Sequence, residues 1–171
     1  MKKIMILGAI LLTICISISA VSAFEFSFDS SSSDSSNSNG GSVSLKDNEL
    51  TIQDFKFIIP EGYKENKSAQ ILAEDADQNA FPGFKITTEQ FDNGEDSIII
   101  KVVFGDDKMD KEGYTPEKYA VAKKISNTDG YLSEYNDGVS FDYIEDGKLV
   151  EIFAPDEETL STLLSFQIKF K

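Results

Sequence analysis

The rhythm of apolar and polar positions changes twice along this 171-residue chain. From Ile4 to about Ile18 almost every position is apolar, with Lys2 and Lys3 in front. Phe24, Phe26 and Phe28 then alternate with polar residues and lead into a Ser/Asp/Asn/Gly tract. From Leu50 onward, short apolar or alternating segments are punctuated by glycine, asparagine and aspartate, the signature of strands separated by turns. These changes divide the chain into residues 1–23, a spacer at 24–43 and a globular domain at 44–171.

Within the domain, Leu50 to Ile59 reads as a strand stopped by Pro60 and Gly62. Ser68 to Asp75 reads as a short helix with Ile71 and Leu72 inward. Phe84–Phe91 and Ser97–Phe104 form a hairpin across Asp92-Asn93-Gly94, because Asn-Gly accepts the left-handed conformations of tight turns. A helix is predicted from Thr115, with Thr115 as cap, Pro116 at the first position and Glu117 in the positive first turn. Tyr119, Ala122 and Ile125 would share its buried face. Strands follow at Tyr131–Tyr135, Val139–Glu145 and Lys148–Phe153, the last two joined by a type I′ turn at Asp146-Gly147. Asp156 caps a second helix that buries Leu160, Leu163 and Leu164, and Phe166–Phe170 closes the chain as a strand. The expected fold class is α+β: one antiparallel β-sheet with two main helices packed on it.

The N-terminus carries an address. Two lysines, an apolar stretch and the small-residue end at Val21-Ser22-Ala23 form a secretory signal peptide cleaved after Ala23. The alternative is an uncleaved anchor, since about 20 apolar residues suffice to span a bilayer. Either way the lysines hold that end in the cytoplasm and the bulk of the chain is expected outside, secreted or associated with the cell envelope. Membrane contact would be confined to the N-terminal segment. Cys15 follows Ile14, whereas lipid attachment wants a small residue there. Once the signal is removed no cysteine remains, which excludes disulfides and thiolate chemistry. The spacer at 24–43 is expected to be disordered, because its Ser-rich tract has nothing to bury against its ordering entropy.

Charge removes further options. Two of the 16 lysines lie in the signal, so the remainder carries 14 against 30 acids, and arginine and histidine are absent. Nucleic acid is disfavoured as a partner, because nothing supplies a cationic footprint for phosphates. Without histidine or cysteine, neither a Ser-His-Asp nor a Cys-His arrangement is possible, and no Ser-Lys or phosphate-loop motif is present. The acidic groups Glu74, Asp75, Asp77 and Asp106, Asp107, Asp110 are candidate calcium ligands, since calcium takes six to eight oxygens from a loop. Neither group follows EF-hand spacing. Asp142, Glu145 and Glu151 are the carboxylates best placed for a hydrolase, although strand alternation leaves them on the solvent face. Asn66-Lys67-Ser68 is an N-glycosylation acceptor. Phe81, Phe84, Tyr114, Tyr119, Tyr131, Tyr135 and Tyr143 would line a groove or, in a domain without tryptophan, fill the core.

The segment Phe57-Ile58-Ile59-Pro60-Glu61-Gly62-Tyr63, with the closing order of hairpin, Leu-rich helix and Ser165-Phe166 strand, resembles PsbP-like domains. The composition also resembles short, arginine-poor, isoleucine-rich exported proteins of methanogenic archaea. The resemblance implies an α+β module that docks on partners or stabilises assemblies, in some cases with divalent ions. No functional residue carries over from it. The sequence therefore predicts an exported, non-enzymatic binding or structural domain without a cofactor, acting on an envelope or extracellular protein. A calcium-responsive module and a carboxylate-dependent hydrolase are the alternatives.

Overall fold

The computed structural model describes residues 35–36 and 42–167. The expected signal peptide, its cleavage after Ala23, Cys15 and most of the spacer lie outside the described residues. Among the described residues no helix is long and apolar enough to cross a membrane.

The chain folds mainly as β-structure. Its strands are β1 (Ser35–Ser36), β2 (Ser42–Lys46), β3 (Glu49–Ile52), β4 (Phe55–Ile58), β5 (Lys64–Glu65) and β6 (Ile71–Asp75). They continue as β7 (Lys85–Asp92), β8 (Ser97–Phe104), β9 (Val121–Ile125), β10 (Thr128–Tyr135), β11 (Gly138–Glu145) and β12 (Lys148–Ala154). One α-helix, α1 (Glu157–Leu163), follows, with 3-10 turns at Lys67–Ala69 and Leu164–Gln167. Among the described residues strand accounts for 51% and helix of all kinds for 10%, so the α+β expectation of two main helices on a single sheet is overturned.

An eight-stranded antiparallel sheet runs β5-β7-β8-β12-β11-β10-β9, with β6 also paired to β7. A smaller sheet runs β1-β2-β3-β4. Its first ladder pairs Ser35 with Val43 and Ser36 with Ser42, so the spacer expected up to residue 43 gives way to strand pairing at its end. The expected PsbP-like layering is replaced by a small sheet and one helix sharing a core with a large sheet. Leu50, Ile52, Phe55 and Phe57 of the small sheet meet Ile98, Ile100, Phe141, Ile152 and Leu160 in that main core.

β8 explains why the large sheet is covered on both faces. Its sequence Ser-Ile-Ile-Ile-Lys-Val-Val-Phe is nearly continuous in apolar residues, so both faces must leave water. Ile98, Ile100 and Val102 enter the main core. Val103, on the opposite face, joins Ala76, Ile144 and Leu149 in a smaller core covered by Phe81, Phe84, Ile86, Met109 and Tyr114 from the connecting loops.

Three elements differ from the sequence reading, and in each case hydrogen-bonding partners outweigh local pattern. The expected strand Leu50–Ile59 is a hairpin, turning at Gln53 and Asp54, whose φ angles of 50° and 74° are those of a type I′ turn. Buried apolar residues of the two strands fall at 50, 52, 55 and 57; the step of three from Ile52 to Phe55 marks the reversal even without a glycine. The expected helix from Thr115 is a loop followed by β9, because Val121–Ile125 completes a ladder against β10. Only one turn-like bond, Ala120 N–H to the Glu117 carbonyl at 3.0 Å, remains of it. The expected helix Ser68–Asp75 is a single 3-10 turn followed by β6 on the edge of β7. The closing strand is likewise corrected, since Phe166 and Gln167 lie in a 3-10 turn; residues 168–170 are outside the described residues.

Other elements agree. β7 and β8 pair from Lys85–Phe104 to Asp92–Ser97, β11 and β12 form the hairpin expected over Asp146-Gly147, and Asp156 caps α1. The Asp156 carboxylate accepts the Thr159 backbone N–H at 2.7 Å, which also holds that carboxyl below its ordinary range.

Gly130 of β10 shows how tight the sheet surface is. A Cβ there would lie 2.5 Å from the Asp142 carbonyl oxygen and 2.6 Å from the Phe141 ring. Gly130→Ala is expected to destabilise the fold by about 1–3 kcal/mol through overpacking, seen as a lower urea midpoint at unchanged slope. An unchanged midpoint would show that β10 and β11 separate easily at this point.

Candidate functional site

Alternation and register place one line of polar side chains across the second face of the large sheet. Thr88 on β7 opposes Lys101 on β8, Lys101 opposes Glu151 on β12, Glu151 opposes Asp142 on β11, and Asp142 opposes Tyr131 on β10. Directly opposed side chains lie within about 5 Å at Cβ, so the row is a continuous strip five strands wide. The loop after β8 lays Tyr114 over it. That loop is tied to the β11–β12 turn by the Met109 backbone N–H, which donates to the Gly147 carbonyl at 2.8 Å.

Asp142 is the centre of this strip. It is only 5% exposed, and both of its oxygens are engaged. The Ser140 hydroxyl donates to Oδ1 at 3.0 Å and the Tyr114 hydroxyl donates to Oδ2 at 3.1 Å. Burial pushes the Asp142 carboxyl up, and the hydrogen bonds from Ser140 and Tyr114 and the Lys101 charge oppose that shift. Beside it, the Lys101 ammonium is ion-paired with the Glu151 carboxylate, both side chains being mostly buried. Burial pushes Lys101 down, with Asp142 pulling it back up. The Tyr114 phenol is pushed far up, first by burial and then by the Asp142 charge, so it remains a donor at any ordinary pH. Tyr131 packs on Tyr114 with ring centroids 6.1 Å apart.

The sequence candidates are distributed unevenly over this geometry. Asp142 and Glu151 do leave the main core by alternation, but the face they enter is covered rather than solvated, which corrects the expectation of a solvent face. Glu145 lies in the opposite phase. It lines a cleft of about 330 Å³ between the Gln53–Asp54 and Asp146–Gly147 turns, away from the other two carboxylates. The lysines of that cleft are already occupied: Lys148 donates to the Gln53 carbonyl at 3.0 Å, and Lys56 pairs with Glu49 at 2.5 Å.

Of the aromatic candidates, Phe81, Phe84 and Tyr114 cover the smaller core, while Tyr143 is in the main core. Tyr119 is 82% exposed, and Tyr135 donates to Glu117 at 2.5 Å. The seven do not form one groove. Glu74 and Asp75 end β6 on the surface, and Asp77 accepts the Asn79 backbone N–H at 2.9 Å. Asp106, Asp107 and Asp110 are exposed in the loop after β8, with Asp110 accepting the Glu112 N–H at 3.0 Å. Among the described residues no group of three or more carboxylates is gathered to hold a metal ion. The Asn66 side-chain nitrogen, the atom a glycan would use, donates to Asp92 at 2.7 Å.

Sequence reasoning missed Lys101 and Glu89. A single lysine inside an apolar run of seven was the available signal for the first. For Glu89 it was the shared phase with inward Thr87 and Phe91.

Tyr114→Phe would leave Asp142 Oδ2 buried without its donor. A loss of about 1–3 kcal/mol in stability is expected, with faster tryptic cleavage at Lys108, Lys111 and Lys118 as the loop detaches. Wild-type cleavage rates in the variant would show that the phenol does not hold the loop.

Comparison with protein-family models, with curated proteins and with solved structures finds no match for this chain.

Proposed function

We propose that this chain is an exported, non-enzymatic domain that acts by binding or structural association at the cell envelope or outside the cell. One observation carries the reading. The two carboxylates best suited to acid–base chemistry, Asp142 and Glu151, are already closed by Ser140, Tyr114 and Lys101. A glycosidase-type pair needs one carboxyl free to protonate a leaving group and another free to meet a sugar or a water. Here Asp142 fastens the loop after β8 to the sheet through Tyr114, and the partners that Asp142 and Glu151 make are internal. The signal-like N-terminus and the acidic, cysteine-free remainder support the location.

Expression of the full chain with an N-terminal-sequence readout tests the location, and expected is a processed form outside the cytoplasm beginning at Phe24. Recovery of unprocessed chain from the cytosol alone would refute export. The chemistry is tested by assaying aryl glycosides and aryl esters with wild type, Asp142→Asn and Glu151→Gln. No turnover above buffer is expected from any of them. Turnover in wild type that both folded variants lose would establish a carboxylate-dependent hydrolase instead.

A further inference from the structure

Two carboxylates are buried among the described residues, Asp142 and Glu89, and they are satisfied to different degrees. Glu89 has no exposed surface at all. It sits on β7 in the inward phase, opposite Ile100 of β8. Oε1 accepts from the Gln70 side-chain amide at 2.7 Å, whereas Oε2 has no hydrogen-bond partner. Burial pushes its carboxyl up to about 7. The Gln70 bond and Lys67 of the 3-10 turn work against that shift, and Glu65 of β5 adds to it.

Gln70 belongs to the segment that shields Glu89 at the sheet edge, and this segment is weakly built. The 3-10 turn Lys67–Ala69 has no side-chain cap bond. β6 pairs with β7 at Ile71–Thr88, then loses register before resuming at Glu74–Ile86. At the break, Ala73 has a φ of 52° and its N–H donates to the Thr87 hydroxyl at 3.2 Å. Among the described residues β6 pairs only with β7, so its other edge is unsupported. A bulged, single-sided edge strand opens at lower free energy than the central ladder.

We propose that Lys67–Asp75 is a pH-sensitive strap, closed over protonated Glu89 and released when the carboxyl ionises and draws water to its unpaired oxygen. The inference is independent of the export reading. Its sign follows from linkage. With the strap open the carboxyl is hydrated and titrates near its ordinary 4.5, and with the strap closed it titrates at about 7. Closure is therefore favoured fully below the lower value and loses that contribution as pH rises through the upper one. The open population should rise about fortyfold in all between pH 5 and 7, then level off.

Hydrogen exchange of the full chain at pH 5, 6, 7 and 8, corrected for intrinsic exchange, tests this. Protection of the Ala73 amide is expected to fall about fortyfold from pH 5 to 7 while amides of β11 stay constant. Glu89→Gln keeps the shape and an oxygen for Gln70 but cannot ionise, so its strap should show no such slope. Equal pH dependence in the strap and β11, or an unchanged slope in the variant, would overturn the proposal. If the variant does not fold, the wild-type contrast between strap and β11 decides alone.

Discussion

The central strands of the large sheet are buried on both faces, and the rest of the structure answers to that constraint. β8 and β12 place Ile100 and Ile152 in the main core and Val103 and Leu149 in the smaller one. A sheet of this kind cannot present its second face to water. It needs a cover, and the loops between β6 and β7 and after β8 provide one with Phe81, Phe84, Met109 and Tyr114. Any polar side chain on that face must then find its partners inside the protein, because desolvation without a partner costs more than a typical hydrogen bond returns.

Lys101, Glu151 and Asp142 meet that demand together. Replacing such a buried set by apolar residues is often neutral for stability, whereas removing one member leaves an uncompensated charge. The value of the row is therefore geometric. Hydrogen bonding of Tyr114 to Asp142 fixes where a long loop without regular structure lies on the sheet. Glu89 stands in contrast: it is as deeply buried, but one of its oxygens is unpartnered and its cover is an edge strand with broken register. The satisfied carboxylate lies toward the middle of the sheet and the half-satisfied one toward its margin.

Much of the fold was legible where turn chemistry and alternation coincide. Asn93-Gly94 and Asp146-Gly147 marked hairpins that the structure contains, and Asp156 marked the start of α1. Helices expected at Ser68–Asp75 and from Thr115 onward were not found, because their caps and spacing are local signals that edge pairing with β7 and β10 outweighs. The Gln53–Asp54 reversal was hidden by the absence of glycine. In the site, Asp142, Glu151, Tyr114 and Tyr131 were visible as residue types. Their assembly was not, since it depends on a cross-strand register linking positions up to 50 residues apart in sequence.

By itself the sequence determined the strand-rich rhythm of the domain, the positions of its sharpest turns and the chemistry closed to it, because these depend on residue types and nearest neighbours. The tertiary structure alone decided which face of each strand was covered, that Asp142 is satisfied while Glu89 is not, and that the second face is a core rather than a surface. Burial and hydrogen-bond completion belong to the packed sheet, where a residue's environment is set by partners distant along the chain.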